Sequence, residues 1–417
     1  MQQDLVKKLF KVSWLVYFIS YIGRLNYAAS MIEIGQTEGY TTIQLGTVVT
    51  ALFISYGIGQ LLSGLIGDHF SSRRLVLVGL IGCGICNIGM FTSNSYWQLL
   101  LIWSLNGLSL SLIWPPIVKL YTQYMDEDYL HKCCFNIQTS VALGTCFTYL
   151  MCSSLLKISS WRNIFLFTSG LLFIAALIWH MTIKQVEKHC VKVIDKAQVI
   201  DSEKQIVNNR KEIIETEEKQ FKKVLFKSGL VVIFIAILIM GFLKDGIMTW
   251  VPQYITDTFG THAYFSVFLT ALLPLVNLTG IYLIKYINEK NSGDDLKTTA
   301  IFYGVSVISL ALLVVYGRAN IYVSVLLFAV VTSCMLGINT ILVSVLPTYF
   351  AKYNKTALVA GLTNCVTYLG SGLCGYGLGA LVEGYGWQVT SMVLVGICLL
   401  GIISCIVARP MWQKFKH

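Results

Sequence analysis

Two basic residues lie within long apolar stretches, where charged side chains are rare. Arg24 lies near the middle of the stretch 12–32, and Lys244 lies at a comparable depth in the stretch 229–255. A charge at the centre of a bilayer costs at least ~2.5–3.5 kcal/mol on insertion scales. An arginine that reaches the membrane interface would lie nearer to one end of its stretch. We therefore expect both side chains to face a water-filled cavity.

Two cations without a counter-charge in the membrane would bind an anion. Arg24 suits a phosphate or a carboxylate through its planar fork of donors, whereas Lys244 acts as a point charge. The alternatives are a structural ion pair at Arg24 and neutralisation of Lys244 by Asp245. Adjacent helical residues do not face each other, which favours the anion site.

Tyrosines accompany Arg24. Tyr17, Tyr21 and Arg24 are spaced i, i+4 and i+7, which places them on one helix face. Tyr56 lies on the next apolar stretch. Their hydroxyl groups could form hydrogen bonds to a polar ligand. Tyrosines of membrane helices otherwise serve packing or the membrane interface.

The elements that carry these residues are membrane spans. The chain has 417 residues, of which 55% are hydrophobic and only 12% are charged, about half the charged fraction of soluble domains. A span needs roughly 20 mostly apolar residues. We expect twelve helical spans, near 12–32, 43–66, 75–93, 97–120, 133–156, 163–183, 229–255, 263–286, 298–316, 320–346, 356–381 and 387–408.

Basic residues predict the orientation of these spans. All but five of the 31 Lys and Arg residues fall in the two termini and in the loops on the same side. Because Lys and Arg concentrate on the cytoplasmic side, both termini are expected there. The net charge of +10 then reflects topology, and no nucleic-acid partner is expected.

A charged segment divides the chain in the middle. We expect a six-helix bundle at 1–183, a cytoplasmic linker at 184–228 and a second six-helix bundle at 229–417. The predicted fold class is therefore an all-α membrane protein with two pseudo-symmetric halves. In transporters built from such repeats, the substrate site lies near the bilayer midplane between the halves.

The loop between the second and third spans contains Gly64, Asp68, Arg73 and Arg74. This loop resembles the signature loop of the major facilitator superfamily. The glycine allows close helix approach, and the charged groups can form charge-assisted hydrogen bonds to neighbouring helix ends. We expect these contacts to act as a conformational switch; the alternative is a plain basic loop.

Other patterns carry structure rather than chemistry. The prolines after Trp114 predict a kink in the fourth span. The run 360–372 gives the eleventh span a face of small residues for close packing. The twelve cysteines are scattered, mostly through the apolar spans, and Cys133 and Cys134 are the one adjacent pair. No zinc-binding or nucleotide-binding motif appears, and no cofactor, no metal and no enzymatic activity are expected.

Together these motifs resemble the organophosphate:phosphate antiporter family of the major facilitator superfamily. The resemblance covers nearly the whole chain and implies exchange of a phosphorylated metabolite for inorganic phosphate at one site. It places a basic residue at both cavity positions. The substrate-binding residues that we predict from the spacing and the resemblance are Arg24, Lys244, Tyr17, Tyr21, Tyr56, Asn26, Gln60, Trp114, Thr139 and Tyr368.

The sequence also departs from this family. Many members have an arginine where this chain has Lys244, a lysine where it has Gln60 and a histidine where it has Thr139. The cavity is therefore expected to carry less positive charge than in those members. This leaves room for a monoanion such as a carboxylate, or for a member that senses its ligand without transporting it.

Three functions follow from these patterns. The first is the exchanger, with a small anion and inorganic phosphate as its partners. The second is a proton-coupled organic-anion symporter, for which Glu33, Asp245 and Glu383 are the nearby titratable carboxylates. The third is a membrane sensor whose partner docks on the 184–227 loop. In each case we expect a monomer in the lipid bilayer of the cell (bacterial inner) membrane.

Overall fold

The computed structural model describes residues 2–66, 70–189, 224–353 and 355–416. These ranges are helical apart from short connections. The helices are α1 Gln2–Glu38, α2 Thr42–Ile66, α3 Ser72–Thr92, α4 Tyr96–Ser111, α5 Trp114–Tyr124, α6 Glu127–Asn136, α7 Gln138–Ile158, α8 Trp161–His189, α9 Leu230–Phe259, α10 Ala263–Thr270, α11 Leu273–Lys290, α12 Asp295–Tyr316, α13 Ile321–Asn339 and α14 Thr356–Lys416. A π-helical turn, Thr340–Val345, and a 3-10 segment, Leu346–Tyr353, connect α13 to α14.

Ten helical segments in the described part of the chain are long and apolar enough to cross a membrane. The prediction of an all-helical membrane fold is confirmed. The ten segments contain eleven of the twelve expected spans, because the last two share one helix. The first expected span lies in α1, where Arg24 and neighbouring polar residues lower the hydropathy. The last two expected spans, 356–381 and 387–408, both lie in α14.

Helix breaks follow local sequence. The expected span 97–120 divides into α4 and α5 just before Pro115, as predicted, and 263–286 divides into α10 and α11 just before Pro274. Proline lacks the N–H group that continues a helical hydrogen-bond ladder. In α14, Gly386 has a positive φ of 72°, a conformation that residues with a Cβ rarely adopt. It separates the two expected spans.

Several helix contacts bring the first part of the chain (residues 2–189) and the second part (residues 224–416) together. Two sets of them include hydrogen bonds. The first joins α2 to α14. Thr50 Oγ1 donates to the carbonyl of Gly372 at 2.7 Å and accepts from the amide of Tyr376 at 2.8 Å. The backbones of Gly46 and Gly375 are so close that a Cβ on either would meet the other's carbonyl. Small residues permit this approach.

The second set joins α7 to α9 and α10 through hydrogen bonds, and α7 also packs against α10 and α11. The hydroxyl of Tyr149 donates to the carbonyl of Met248, and that of Ser153 donates to the carbonyl of Tyr264, each at 2.7 Å. Together, the α2–α14 and α7–α9–α10 contacts close the molecule at the end where α1 connects to α2. We call this end the sealed end.

The expected linker is described only in part. Its first residues, 184–189, continue α8 rather than starting a loop. Residues 190–223 lie outside the described ranges. The predicted boundaries of the two halves and of the linker therefore stay predictions.

Replacing Gly375 by alanine is expected to lower thermal stability, because the new Cβ would meet the backbone of Gly46 in α2. The matched control is Gly396→Ala in the same helix, where a Cβ meets nothing within 4 Å. Alanine is favoured over glycine within helices by about 1 kcal/mol, so Gly396→Ala should maintain or raise the midpoint temperature of thermal unfolding. Thermal unfolding of the purified protein in detergent measures both. Equal midpoints for the two variants would show that α2 and α14 are not in close contact.

Candidate ligand-binding cavity

A cavity of about 520 Å³ lies between the helices on the inner side of the sealed end. It reaches from Arg24 and Tyr368 to Gln138 at the start of α7 and Ser344 beyond α13. Its wall comes from both parts of the chain. The polar and aromatic side chains that line it are Tyr17, Tyr21, Arg24, Phe53, Tyr56, Gln60, Trp114, Gln138, Thr145, Lys244, Asp245, Thr249, Asn277, Asn339, Thr340, Ser344, Asn364, Thr367 and Tyr368.

Arg24 is held by aromatic rings rather than by an acid. Its side chain is 8% exposed. The guanidinium carbon lies 4.6 Å from the ring centre of Tyr56, 5.4 Å from Tyr21, 5.5 Å from Phe53 and 5.6 Å from Tyr368. Such cation–π contacts stabilise a cation by about 0.5–2 kcal/mol each, depending on desolvation.

No acidic group in the described part of the chain forms an ion pair with Arg24. The alternative of a structural ion pair at this residue therefore finds no partner among the described residues. Aromatic rings stabilise the charge but accept none of its directed N–H bonds. The guanidinium thus keeps donors for an anion in the cavity.

Lys244 differs from this pattern. Its Nζ lies 3.6 Å from Oδ1 of Asp245, and the hydroxyl of Ser371 donates to Oδ2 of the same carboxylate. The expectation that neither cation has a counter-charge is therefore wrong for Lys244. The Cβ atoms of adjacent helical residues diverge, but the flexible four-carbon stem of lysine lets its ammonium group reach the neighbouring carboxylate.

The α1 tyrosines share the face of Arg24, as their spacing predicts. The rings of Tyr17 and Tyr21 are 5.3 Å apart in an edge-to-face arrangement, and Tyr17 lies 5.0 Å from Trp114 at the start of α5. These are favourable distances for aromatic pairs. The three rings thus form an aromatic wall beside the guanidinium.

A second aromatic pair crosses between the two parts of the chain. Tyr56 of α2 and Tyr368 of α14 meet edge to face, with ring centres 4.7 Å apart. Gln60 Nε2 donates to the Tyr56 hydroxyl at 2.8 Å. Both rings also contact Arg24, so this pair connects the two parts of the chain directly beside the guanidinium.

Asn26 does not line the cavity. It is fully buried between α1 and α3, where its Nδ2 donates to Oδ1 of Asn87 at 2.7 Å. Two residues correspond to a rotation of about 200° along a helix, so Asn26 faces away from Arg24. Its predicted role in substrate binding has no support from this position.

Thr139 also faces away from the cavity. Its hydroxyl accepts from Nε1 of Trp14 at 2.9 Å and donates to the carbonyl of Asn136. The neighbouring Gln138 faces the cavity instead. The family resemblance identified the correct end of α7 but not the residue that lines the cavity.

Sequence reasoning missed a polar wall on the second part of the chain. Asn277 on α11, Asn339 on α13 and Asn364 on α14 line the cavity with threonine and serine hydroxyls around them. An amide within an apolar span is costly unless it is satisfied. Isolated asparagines in otherwise apolar spans were therefore the signal that could have identified these residues.

The predicted switch loop is described in part. Gly64 lies in α2, and Asp68 lies outside the described residues. Arg73 pairs with Glu187 of α8 at 2.9 Å, and its carbonyl accepts from Nε1 of Trp179. Arg74 is exposed. The arginine contact joins helix ends as expected, and the switching role stays a prediction.

Comparison with known proteins identifies the family. Residues 13–375 match the Major Facilitator Superfamily. The chain belongs to the major facilitator superfamily. This confirms the predicted superfamily and, with ten apolar helical segments, a multi-pass location in the membrane.

The curated relatives of this major facilitator protein are named as anion carriers or sensors. It is 22% identical to the glycerol-3-phosphate transporter of Bacillus subtilis, over 96% of this chain and 92% of the relative. It is 20% identical to the probable hexose phosphate transport protein of Chlamydia trachomatis, over 99% and 94%. Membrane sensor protein UhpC of Salmonella typhimurium is 31% identical over 27% of this chain and 25% of its own.

Solved structures support the fold. A bacterial homologue of the human lysosomal transporter Spinster, in an inward-facing and unoccupied conformation, superposes with a TM-score of 0.76 at 13% identity, covering 99% of this chain and 98% of that one. A D-xylose–proton symporter has a TM-score of 0.72 at 12% identity, with coverages of 98% and 97%. At these identities the likeness concerns the fold alone.

Asn26→Ala is expected to lower the thermal midpoint, because it removes a buried hydrogen bond and leaves Oδ1 of Asn87 without this donor. An unsatisfied buried group costs about 1–3 kcal/mol. Asn364→Ala provides the same change on the cavity wall, where the side chain is only half-buried, and should leave the midpoint near that of the wild type. Thermal unfolding in detergent compares the two variants. A larger loss at Asn364 would contradict the assignment of Asn26 as a packing residue.

Proposed function

We propose that this protein exchanges a phosphorylated organic anion, such as a sugar phosphate or glycerol 3-phosphate, for inorganic phosphate across the cell membrane. The observation that carries this proposal is the Arg24 guanidinium, which is nearly buried, has no acid partner among the described residues and lies at the cavity wall. Arginine matches the geometry of phosphate oxygens. The names of the curated relatives support the same class of ligand.

The wall opposite Arg24 suits the remainder of such a ligand. Lys244 adds a second cation, and the asparagines at 277, 339 and 364 add amides that can both donate and accept hydrogen bonds. A hydroxylated carbon chain needs both kinds of partner. A wall of aromatic ring faces alone would provide neither.

Alternating access would follow from the way the cavity is built. In this proposal residues 1–183 and 229–417 form two six-helix bundles with both termini in the cytoplasm. The sealed end then faces outward, and the cavity opens toward the cytoplasm. An anion held between Arg24 and Lys244 joins the two bundles, which favours reorientation of the loaded carrier. An empty carrier would instead enclose the uncompensated charge of Arg24, which is costly in a dry cavity, so exchange is favoured over net flux.

Arg24→Gln is expected to weaken binding of glucose 6-phosphate by about 10- to 100-fold, because a hydrogen bond to a charged group contributes about 1.5–3 kcal/mol. Uptake of labelled phosphate into proteoliposomes loaded with phosphate should be lost. Arg318→Gln changes an exposed arginine in the same way and serves as the control. Wild-type exchange rates in the Arg24→Gln protein would rule out this site.

The driving force distinguishes the exchanger from a proton-coupled symporter. Phosphate uptake by the wild-type protein should require phosphate inside the vesicle and should not respond to a pH gradient in its absence. Counting labelled phosphate in loaded and empty proteoliposomes, with and without a pH gradient, measures this. If an inward proton gradient alone drives uptake into empty vesicles, the protein is a proton-coupled symporter and not an exchanger.

A sensor is the second candidate, and the similarity to UhpC over 27% of the chain favours it. A sensor would bind the phosphate ester through Arg24 without carrying it across the membrane. Saturable binding in detergent, together with no flux into proteoliposomes under any gradient, would select this function.

A further inference from the structure

The charge balance of the cavity points to one residue. Among the residues that line it, only Arg24, Lys244 and Asp245 carry a formal charge at neutral pH, and none is a histidine. With all three ionised, the wall has one net positive charge. This differs from a site with two free cations, which would match a dianion.

The position of Asp245 fixes this balance. One carboxylate oxygen lies 3.6 Å from the ammonium group of Lys244, and the other accepts the hydroxyl of Ser371 from α14. Both oxygens are therefore held, and the side chain is 18% exposed. Lys244 is compensated within its own helix, whereas Arg24 is not.

The groups around Asp245 come from three further helices as well as from its own. None of these groups is a second carboxylate. The titratable and charged neighbours are Lys244 on α9, Tyr21 and Arg24 on α1, Tyr149 on α7, and Tyr368 and Cys374 on α14.

A phosphate ester can enter with one negative charge or with two. A dianion would leave one negative charge unbalanced beside Asp245, and an unbalanced charge in a poorly hydrated site is strongly disfavoured. A monoanion matches the single net positive charge. We infer that Asp245 selects the singly charged form of the ligand and rejects the doubly charged form. This inference rests on the proposed function, because it concerns the same cavity and the same class of anion.

The test uses two probes of similar shape that differ in how they titrate. The second pKa of a phosphate monoester is about 6, so glucose 6-phosphate changes from mainly monoanion to mainly dianion between pH 5 and pH 7. Glucose 6-sulfate has a similar tetrahedral head group and stays singly charged over the whole range. Calorimetric titration of the purified full-length protein in detergent gives the dissociation constant of each probe.

For the wild-type protein, the apparent affinity for glucose 6-phosphate should fall about tenfold from pH 5 to pH 7, following the monoanion fraction that a second pKa of about 6 gives. The affinity for glucose 6-sulfate should stay constant within about twofold. A tenfold fall for the sulfate ester as well would mean that a protein group titrates, and would overturn the inference.

Asp245→Asn keeps an oxygen that can accept the Ser371 hydroxyl but removes the charge. Its affinity for glucose 6-phosphate should no longer fall with rising pH, because the wall then carries two net positive charges and accepts the dianion. Asp245→Glu restores the carboxylate and should restore the fall. An unchanged tenfold fall in Asp245→Asn would refute selection by this residue.

Two controls separate charge from folding. Asp257→Asn makes the same chemical change on the same helix, at a residue that does not line the cavity and whose carboxylate accepts from Nε1 of Trp387. It should keep the wild-type profile. Ser371→Ala removes the hydroxyl but no charge and should keep the direction of the pH dependence. Loss of that dependence in either control would contradict a role specific to the Asp245 charge.

The same data distinguish this inference from the proposed function. If phosphate esters bind in an Arg24-dependent manner but with a flat pH profile, selection by Asp245 is wrong and the proposed site stands. If neither ester binds the wild-type protein at any pH, the site and the inference both fail.

Discussion

The organisation of the cavity depends on a guanidinium that lies within an apolar helix and has no acid partner among the described residues. Arg24 is stabilised by the faces of Tyr21, Phe53, Tyr56 and Tyr368. Aromatic faces reduce the cost of burying the charge but leave its hydrogen-bond donors free. The arginine can therefore exist in the empty protein and still bind an anion. An acid in place of the rings would satisfy the charge permanently and remove the reason to bind a ligand.

The same rings connect ligand binding to the shape of the molecule. Tyr56 belongs to α2 and Tyr368 to α14, and these helices meet directly beyond the pair, at Gly46 and Gly375. A change in the α2–α14 contact would thus change the surroundings of Arg24. The other cation differs in its charge environment, because Asp245 compensates Lys244 on its own helix. The two sides of the cavity therefore differ, with an aromatic wall around one free cation and a polar wall around a compensated one.

The cavity residues show how far sequence reasoning reached. The helical spacing of Tyr17, Tyr21 and Arg24 placed them on one face, because the period of the α-helix is fixed. The residue type of Asn26 does not show which way its side chain points. Only the packing of α1 against α3 shows that it contacts a second asparagine, Asn87. Thr139 was assigned by resemblance, but the neighbouring residue of α7, Gln138, is the one that lines the cavity.

The sequence by itself determined the membrane fold, the helix breaks at proline and glycine, and the presence of two basic side chains within spans. These features follow from local physics: the length of an apolar run, the missing proline N–H and the cost of charge in lipid. Only the tertiary structure decided which partners those charges have. The ring cage of Arg24 draws on three helices, and the bond from Ser371 to Asp245 joins residues 126 positions apart. Contacts between distant segments depend on how helices pack, and no local pattern encodes that packing.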